Sequence, residues 1–139
     1  MKLSKNFSDY EFKNAIPEPK LLAMLQGTRD IVDCAIKITD SIRTINEHIE
    51  IYKRIYGEDW LQKIPWKSRH LPCWDTPNLR AVDFKAIKSD GSFWKGTMLA
   101  EAVKSVAKDL NVHIGLGIGS EFIHLDVDRK SFTTWGYHY

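Results

Sequence analysis

Four side chains in this sequence are of the types that hydrolytic metal chemistry uses: His70, Asp83, Glu121 and His124. A catalytic zinc ion takes three protein ligands from His, Asp, Glu or Cys and keeps one position open for water. His70, Asp83 and His124 offer two imidazoles and one carboxylate. The carboxylate neutralises part of the cation's charge, and the imidazoles leave it enough Lewis acidity to activate water. Glu121 is a carboxylate suited to act as general base beside that water. These residues sit in three short pieces, Ser68-Arg69-His70, Arg80-Ala81-Val82-Asp83 and Glu121-Phe122-Ile123-His124-Leu125-Asp126. A lone His is more often a satisfied structural residue, and an isolated Glu-x-x-His arises often by chance. Spacing alone therefore reaches a soluble α+β domain with a candidate metal site.

Elements that can position these side chains are legible around them. Residues 80–87 alternate, so that Val82, Phe84 and Ala86 face a core while Ala81, Asp83 and Lys85 face the other way. Residues 122–127 do the same: with Ile123 and Leu125 in the core, His124 points to the opposite face. Glu121 has the wrong parity to share His124's side of a straight strand, and Gly119-Ser120 supplies a bend before it. Upstream, residues 8–14 read as a short helix with Ser8 as N-cap and Glu11 completing a capping box. Pro17 and Pro19 break the chain. Residues 20–36 have helical periodicity, weakened by Gly27. Residues 37–44 read as a strand. Ile45, Ile49, Tyr52 and Tyr56 mark a helix ending at Gly57. Residues 58–78 are irregular, with three prolines and three tryptophans, and long loops of this kind are often functional. Asp90-Gly91 is a turn. Leu99, Ala102, Val103, Val106 and Leu110 share a helical face. Residues 112–118 and 132–135 are strand-like. Strands clustered late in the chain predict an antiparallel α+β arrangement.

Composition narrows the function classes. The 139 residues suit one domain with one core. The apolar fraction of 43% and charged fraction of 27% are ordinary for a globular protein. Twenty basic against 18 acidic residues leave a net charge of +2, without the basic run expected of a nucleic-acid binder. Cys34 and Cys73 make no disulfide framework and are expected to be free thiols. No apolar stretch approaches the ~20 residues that span a bilayer. The first residues lack the apolar segment of a signal peptide, so synthesis in the cytoplasm is expected.

Taken together, the motifs resemble peptidase family M15, the zinc peptidases that include D-Ala-D-Ala carboxypeptidases and dipeptidases and the L-alanyl-D-glutamate endopeptidases of bacteriophage endolysins. The family pattern is S-x-H-x-x-G-x-A-x-D followed at a distance by E-x-x-H. Ser68 and His70 match its start, Ala81 and Asp83 its end, and Glu121 and His124 the second motif. Thr39-Asp40-Ser41-Ile42-Arg43-Thr44 is similar to the strand and arginine that open the family's site, and Asn46-Glu47-His48-Ile49-Glu50-Ile51-Tyr52 to the helix after it. Leu3-Ser4-Lys5-Asn6-Phe7, with Glu11-Phe12 after it, resembles the N-terminus of phage-type members, and Trp135 is similar to a late tryptophan that domains of the family often carry. Two departures stand out. His70 and Asp83 differ by thirteen positions where the family has seven, and Leu79 falls where the motif glycine belongs. The extra residues can loop out, since closure costs only ~0.6 kcal/mol per doubling of length. They include Cys73 and Asp75 as competing ligands.

The resemblance implies a small antiparallel sheet with flanking helices of the Hedgehog/D,D-peptidase-like type, as one peptidase domain over 1–139. It implies that His70, Asp83 and His124 bind Zn²⁺. It implies that Glu121 takes a proton from the attacking water and returns one to the leaving amine. Arg43 would polarise the scissile carbonyl or stabilise the oxyanion, and Ser68 would contact substrate or support His70. The implied substrate is the peptidoglycan stem peptide, cut at L-Ala-D-Glu in preference to D-Ala-D-Ala, by a monomer that reaches the wall after release from the cytoplasm. No nucleic acid or membrane insertion is implied.

Plainer readings stand beside these. Arg43 also suits a helix cap or a pair with Asp40. Asp126 suits either an acceptor behind a ligand imidazole or a solvated strand residue. His48 and His113 read as structural or exposed, Trp66 and Trp74 as packing anchors or cleft lining, and Cys73 as a fourth ligand closing a structural site. Gly115, Gly117 and Gly119 make no phosphate loop and read as a strand edge or bulge. Two other functions remain open: a zinc-stabilised structural or virion-associated module without turnover, and a cysteine hydrolase built on Cys73 and a histidine.

Overall fold

The computed structural model describes residues 1–65, 67–71 and 78–137. The expectations placed on Trp66, Cys73, Trp74 and Asp75 lie outside the described residues. Among the described residues are four α-helices and five strands: α1 (Pro19–Val32), β1 (Ala35–Asp40), α2 (Ile45–Tyr56), α3 (Trp60–Lys63), β2 (Ala81–Ile87), α4 (Gly96–Leu110), β3 (Gly115–Ile118), β4 (Ile123–Asp126) and β5 (Thr133–Gly136). Single 3₁₀ turns cover Asp9–Phe12 and Gly57–Asp59.

Local chemistry accounts for most boundaries. Ser8 and Glu11 form the expected capping box over the first turn. Pro19 occupies the first helical position of α1, where its missing N–H costs nothing. The helix ends at Val32, four residues earlier than periodicity predicts, because Asp33 turns left-handed at φ 49° and its N–H closes on the Arg29 carbonyl. Ala35 and Ile36 therefore begin β1 instead of finishing α1, and β1 stops at Asp40, which frees 41–44 to lead into α2. Thr44 caps α2: its hydroxyl accepts from the Glu47 N–H at 3.1 Å, and Glu47 answers the Thr44 N–H. Gly57 closes it, as predicted.

The strands form one sheet in the order β1-β2-β4-β3-β5. The first four pair antiparallel, but β5 runs parallel to β3, with Gly115 opposite Thr133. The sheet is thus mixed, where the sequence predicted an antiparallel one. After β4 the chain stands at the first residue of β3, and the short 127–132 connection passes that end, so β5 starts beside it and runs the same way.

One face of the sheet carries the core. Val82, Phe84, Leu116, Ile123 and Leu125 are each fully buried against Leu21, Met24 and Leu25 of α1 and Leu99 and Val103 of α4. The two helices approach closely at Gly27, where a Cβ would stand 2.6 Å from Val106 Cγ1. That closeness accounts for a glycine in mid-helix, and burial of this face is the main stabilising term. Cys34 is a half-buried free thiol. Among the described residues, no helix is long and apolar enough to cross a membrane. The opposite face of the sheet is the polar one, and the cleft over it is bordered by Tyr52 and Ile55 of α2 and by Ser68, Arg69 and His70.

Candidate metal centre

Sheet register builds the polar face in rows. Asp40, Asp83, His124, Gly117 and Trp135 are successive partners across β1, β2, β4, β3 and β5. In the next row Ala81, Asp126, Gly115 and Thr133 line up. Residues i and i+2 share a face, so Asp83, His124 and Asp126 point to one side while their apolar neighbours fill the core. His70 comes from the loop above and joins them: one ligand atom from each of His70, Asp83 and His124 lies within 4.8 Å of the others. His70 is 3% and His124 7% exposed, so their charges are poorly screened.

The hydrogen bonds settle what these atoms can do. His70 Nδ1 lies 2.7 Å from the Ser41 carbonyl, which only accepts, so Nδ1–H donates. His124 Nε2 lies 2.7 Å from Asp126 Oδ2 and donates likewise. In the neutral rings this leaves lone pairs on His70 Nε2 and His124 Nδ1. Both face Asp83 Oδ1, at 3.3 and 3.0 Å. Two lone pairs aimed at a carboxylate repel unless positive charge lies between them, as protons or as one cation. Two imidazoles and a carboxylate, each imidazole held from behind by an oxygen, match the donor set and backing typical of zinc. The residues present therefore fit a divalent cation.

Electrostatics point the same way. Burial pushes the Asp83 carboxyl up, but hydrogen bonds and charge from His124 and His70 overcome it and hold it well below the usual carboxylate range. Burial also raises Asp126. The Arg129 and His124 contacts outweigh it and lower Asp126 to about 2. Burial disfavours a proton on His124, yet Asp126 and Asp83 raise its affinity for one above that of free imidazole. The site is thus built to hold a positive charge between fixed negative ones.

The cleft around the triad has a volume of about 400 Å³, within the range that holds small ligands. Arg43 and Ser68 line it. The Arg43 guanidinium pairs with Asp40, and the residue is 9% exposed. Its backbone N–H donates to the His70 carbonyl at 2.9 Å, so the segments carrying Arg43 and His70 are tied together in both directions. Ser68 Oγ accepts from the His70 N–H at 3.3 Å and supports the loop. Glu121 is half-buried in the bend before β4 and is not among the described residues that line the cleft.

Several contributors carried weaker signals in the sequence. Asp126 is 1% exposed and gripped by both Nε and Nη2 of Arg129, so the reading of it as a solvated strand residue is excluded. Gly115 and Gly117 lie in β3, which pairs on both sides, and are neither edge nor bulge. A Cβ on Gly117 would stand 2.7 Å from Trp135 Nε1, and one on Gly115 would collide with Arg129 and Asp126. Their bare backbone lets Trp135 reach His124, at 5.2 Å between ring centroids, and lets the Asp126–Arg129 pair form. The period-2 glycine spacing was the available signal. His113 is exposed, whereas His48 is fully buried.

The class the structure defines is a small α+β fold with a His-Asp-His cluster on the polar face of its sheet. The fold is similar to that of the Serratia marcescens L-Ala D-Glu endopeptidase ChiX, with a TM-score of 0.60 and 15% sequence identity over 88% of each chain. No family model matches this chain, and no curated protein matches it in sequence.

Proposed function

We propose that residues 1–139 form a zinc-dependent peptidase domain that hydrolyses a peptide bond of the peptidoglycan stem peptide, with the L-Ala-D-Glu bond preferred to D-Ala-D-Ala. The observation that carries the metal assignment is the convergence of His70 Nε2 and His124 Nδ1, both lone-pair nitrogens, on Asp83 Oδ1. The substrate class rests on the fold shared with ChiX, whose name specifies that bond.

Zinc held by these three residues supplies Lewis acidity that activates water and polarises a carbonyl. The chain's own groups do the rest. The Ser41 carbonyl and Asp126 fix the tautomers and ring orientations of His70 and His124. Arg43 presents its positive guanidinium toward the oxygen of the scissile carbonyl. Ser68 holds the His70 backbone and borders the substrate. Glu121 serves as proton carrier between attacking water and leaving amine. Asp40, Asp83 and Asp126 are each engaged by Arg or His, whereas Glu121 has no ion-pair or hydrogen-bond partner among the described residues and is available for proton transfer.

One observation favours a second reading, a zinc-stabilised structural or virion-associated module without turnover: Glu121 stands outside the described lining of the cleft. Metal analysis paired with mass spectrometry of digested muropeptides separates the two. The peptidase reading predicts new amino termini at a stem-peptide bond, and a Glu121→Gln variant that keeps zinc but loses cleavage. Zinc binding without cleavage of any stem-peptide or D-Ala-D-Ala substrate supports the structural module.

A further inference from the structure

His48 is fully buried, is not one of the clustered metal-site residues, and is held at both ring nitrogens. Its Nδ1 lies 3.1 Å from Arg43 Nη1 and its Nε2 lies 2.9 Å from the Pro65 carbonyl. A guanidinium only donates and a carbonyl only accepts, so Nδ1 accepts from Arg43 and Nε2–H donates to Pro65. One neutral tautomer satisfies both. Burial, and after it the charge of Arg43, lower the proton affinity of this imidazole, with the Pro65 contact opposing them.

We infer that His48 is a positioning residue that locks the Arg43 guanidinium in the cleft and couples it to the loop carrying Ser68 and His70. The argument begins at the start of α2. Thr44 is the N-cap, so Arg43 and His48 hold the two positions, one before the cap and four after it, that commonly meet through an apolar contact. Here that contact is a hydrogen bond. Asp40 takes the Nε and Nη2 edge of Arg43 through a single carboxylate oxygen, Oδ2. A guanidinium held at one oxygen can still pivot; a second anchor at Nη1 fixes its plane. A neutral acceptor does this without adding negative charge, whereas a second carboxylate beside Asp40 would make the cluster net negative and repel a developing oxyanion. The far nitrogen of His48 then binds Pro65, three residues before Ser68.

The role of Arg43 in turnover rests on the peptidase reading, so the test uses two kinds of measurement. The first is a double-mutant cycle. Gln can accept from Arg43 and donate to Pro65, so His48→Gln keeps kcat within about threefold of wild type, while His48→Leu loses about 10–100-fold in kcat at nearly unchanged KM and zinc content, as expected when a positioned group shifts by an ångström or less. In an Arg43→Ala background, His48→Leu adds less than about twofold, because the two residues act as one unit. Equal losses in both backgrounds, or His48→Gln falling as far as His48→Leu, overturn the inference. The second is ¹⁵N NMR of the zinc-loaded protein. It should show an Nε2–H tautomer at His48 and an ordered Arg43 Nε–H in wild type and His48→Gln, with a mobile one in His48→Leu. A mobile Arg43 in wild type overturns the inference even if no peptide is cleaved, and an ordered one with no cleavage rejects the peptidase reading alone. If His48→Leu does not fold, wild type and His48→Gln still decide.

Discussion

Asp83 and His124 stand directly opposite each other on β2 and β4, and their side chains meet at 3.0 Å. A single register pair thus supplies two of the three candidate ligands. A one-residue slip of either strand would send its ligand into the core, so the apolar residues that fix the register, Val82, Phe84, Ile123 and Leu125, also fix the site. His70 is the third participant and depends on loop contacts: its imidazole on the Ser41 carbonyl and its backbone on Arg43 and Ser68.

Asp126 orients His124 from behind. Asp126→Asn should lower zinc affinity by about 10–100-fold while leaving the three proposed ligands in place, the usual cost of losing the acceptor behind a ligand imidazole. Competition titration against a chelator of known affinity measures it, and an unchanged affinity would deny Asp126 that role.

Gly117 leaves the space that Trp135 occupies. Gly117→Ala should destabilise the fold by about 1–3 kcal/mol, as overpacking does, and should weaken zinc binding by displacing the ring beside His124. Urea unfolding with and without zinc reads both effects. Wild-type values in both would show that Trp135 plays no part in holding His124.

The pH dependence of the metal-free protein follows from two opposite shifts. Asp126 sits at about 2 when folded, against about 3.9 in an unfolded chain. Its contribution, on the order of 2 kcal/mol, is present above about pH 4 and is lost as pH falls toward 2. His124 is raised, so its contribution is complete below the unfolded imidazole value of about 6.5 and is lost as pH rises through the folded value. Above about pH 4 and below the folded His124 value both contributions are present together. Zinc competes with the proton on His124, so the increase in Tm on adding zinc should be larger at pH 8 than at pH 5. Equal increases at the two pH values would show that His124 gives up no proton to the metal.

Local patterns made much of this fold readable. Alternation over β2 and β4, the apolar face of α4, the Ser8 capping box and the Gly57 stop are written within a few residues each. The unread features depend on distant partners. The parallel pairing of β5 is set by which end of β3 the 127–132 connection reaches. The early end of α1 turns on Asp33 adopting a left-handed conformation, which Asp tolerates but does not announce. Gly115 and Gly117 matter through Trp135 and the Asp126–Arg129 pair, and His48 through Arg43 and Pro65; none of these is adjacent in sequence.

The claim under all of these is that His70, Asp83 and His124 share one divalent cation. Anomalous diffraction at the zinc edge from zinc-soaked crystals tests it most directly. One peak within bonding distance of His70 Nε2, Asp83 Oδ1 and His124 Nδ1 is the expected result. Zinc bound elsewhere, or no peak between these three atoms at saturating zinc, would contradict it.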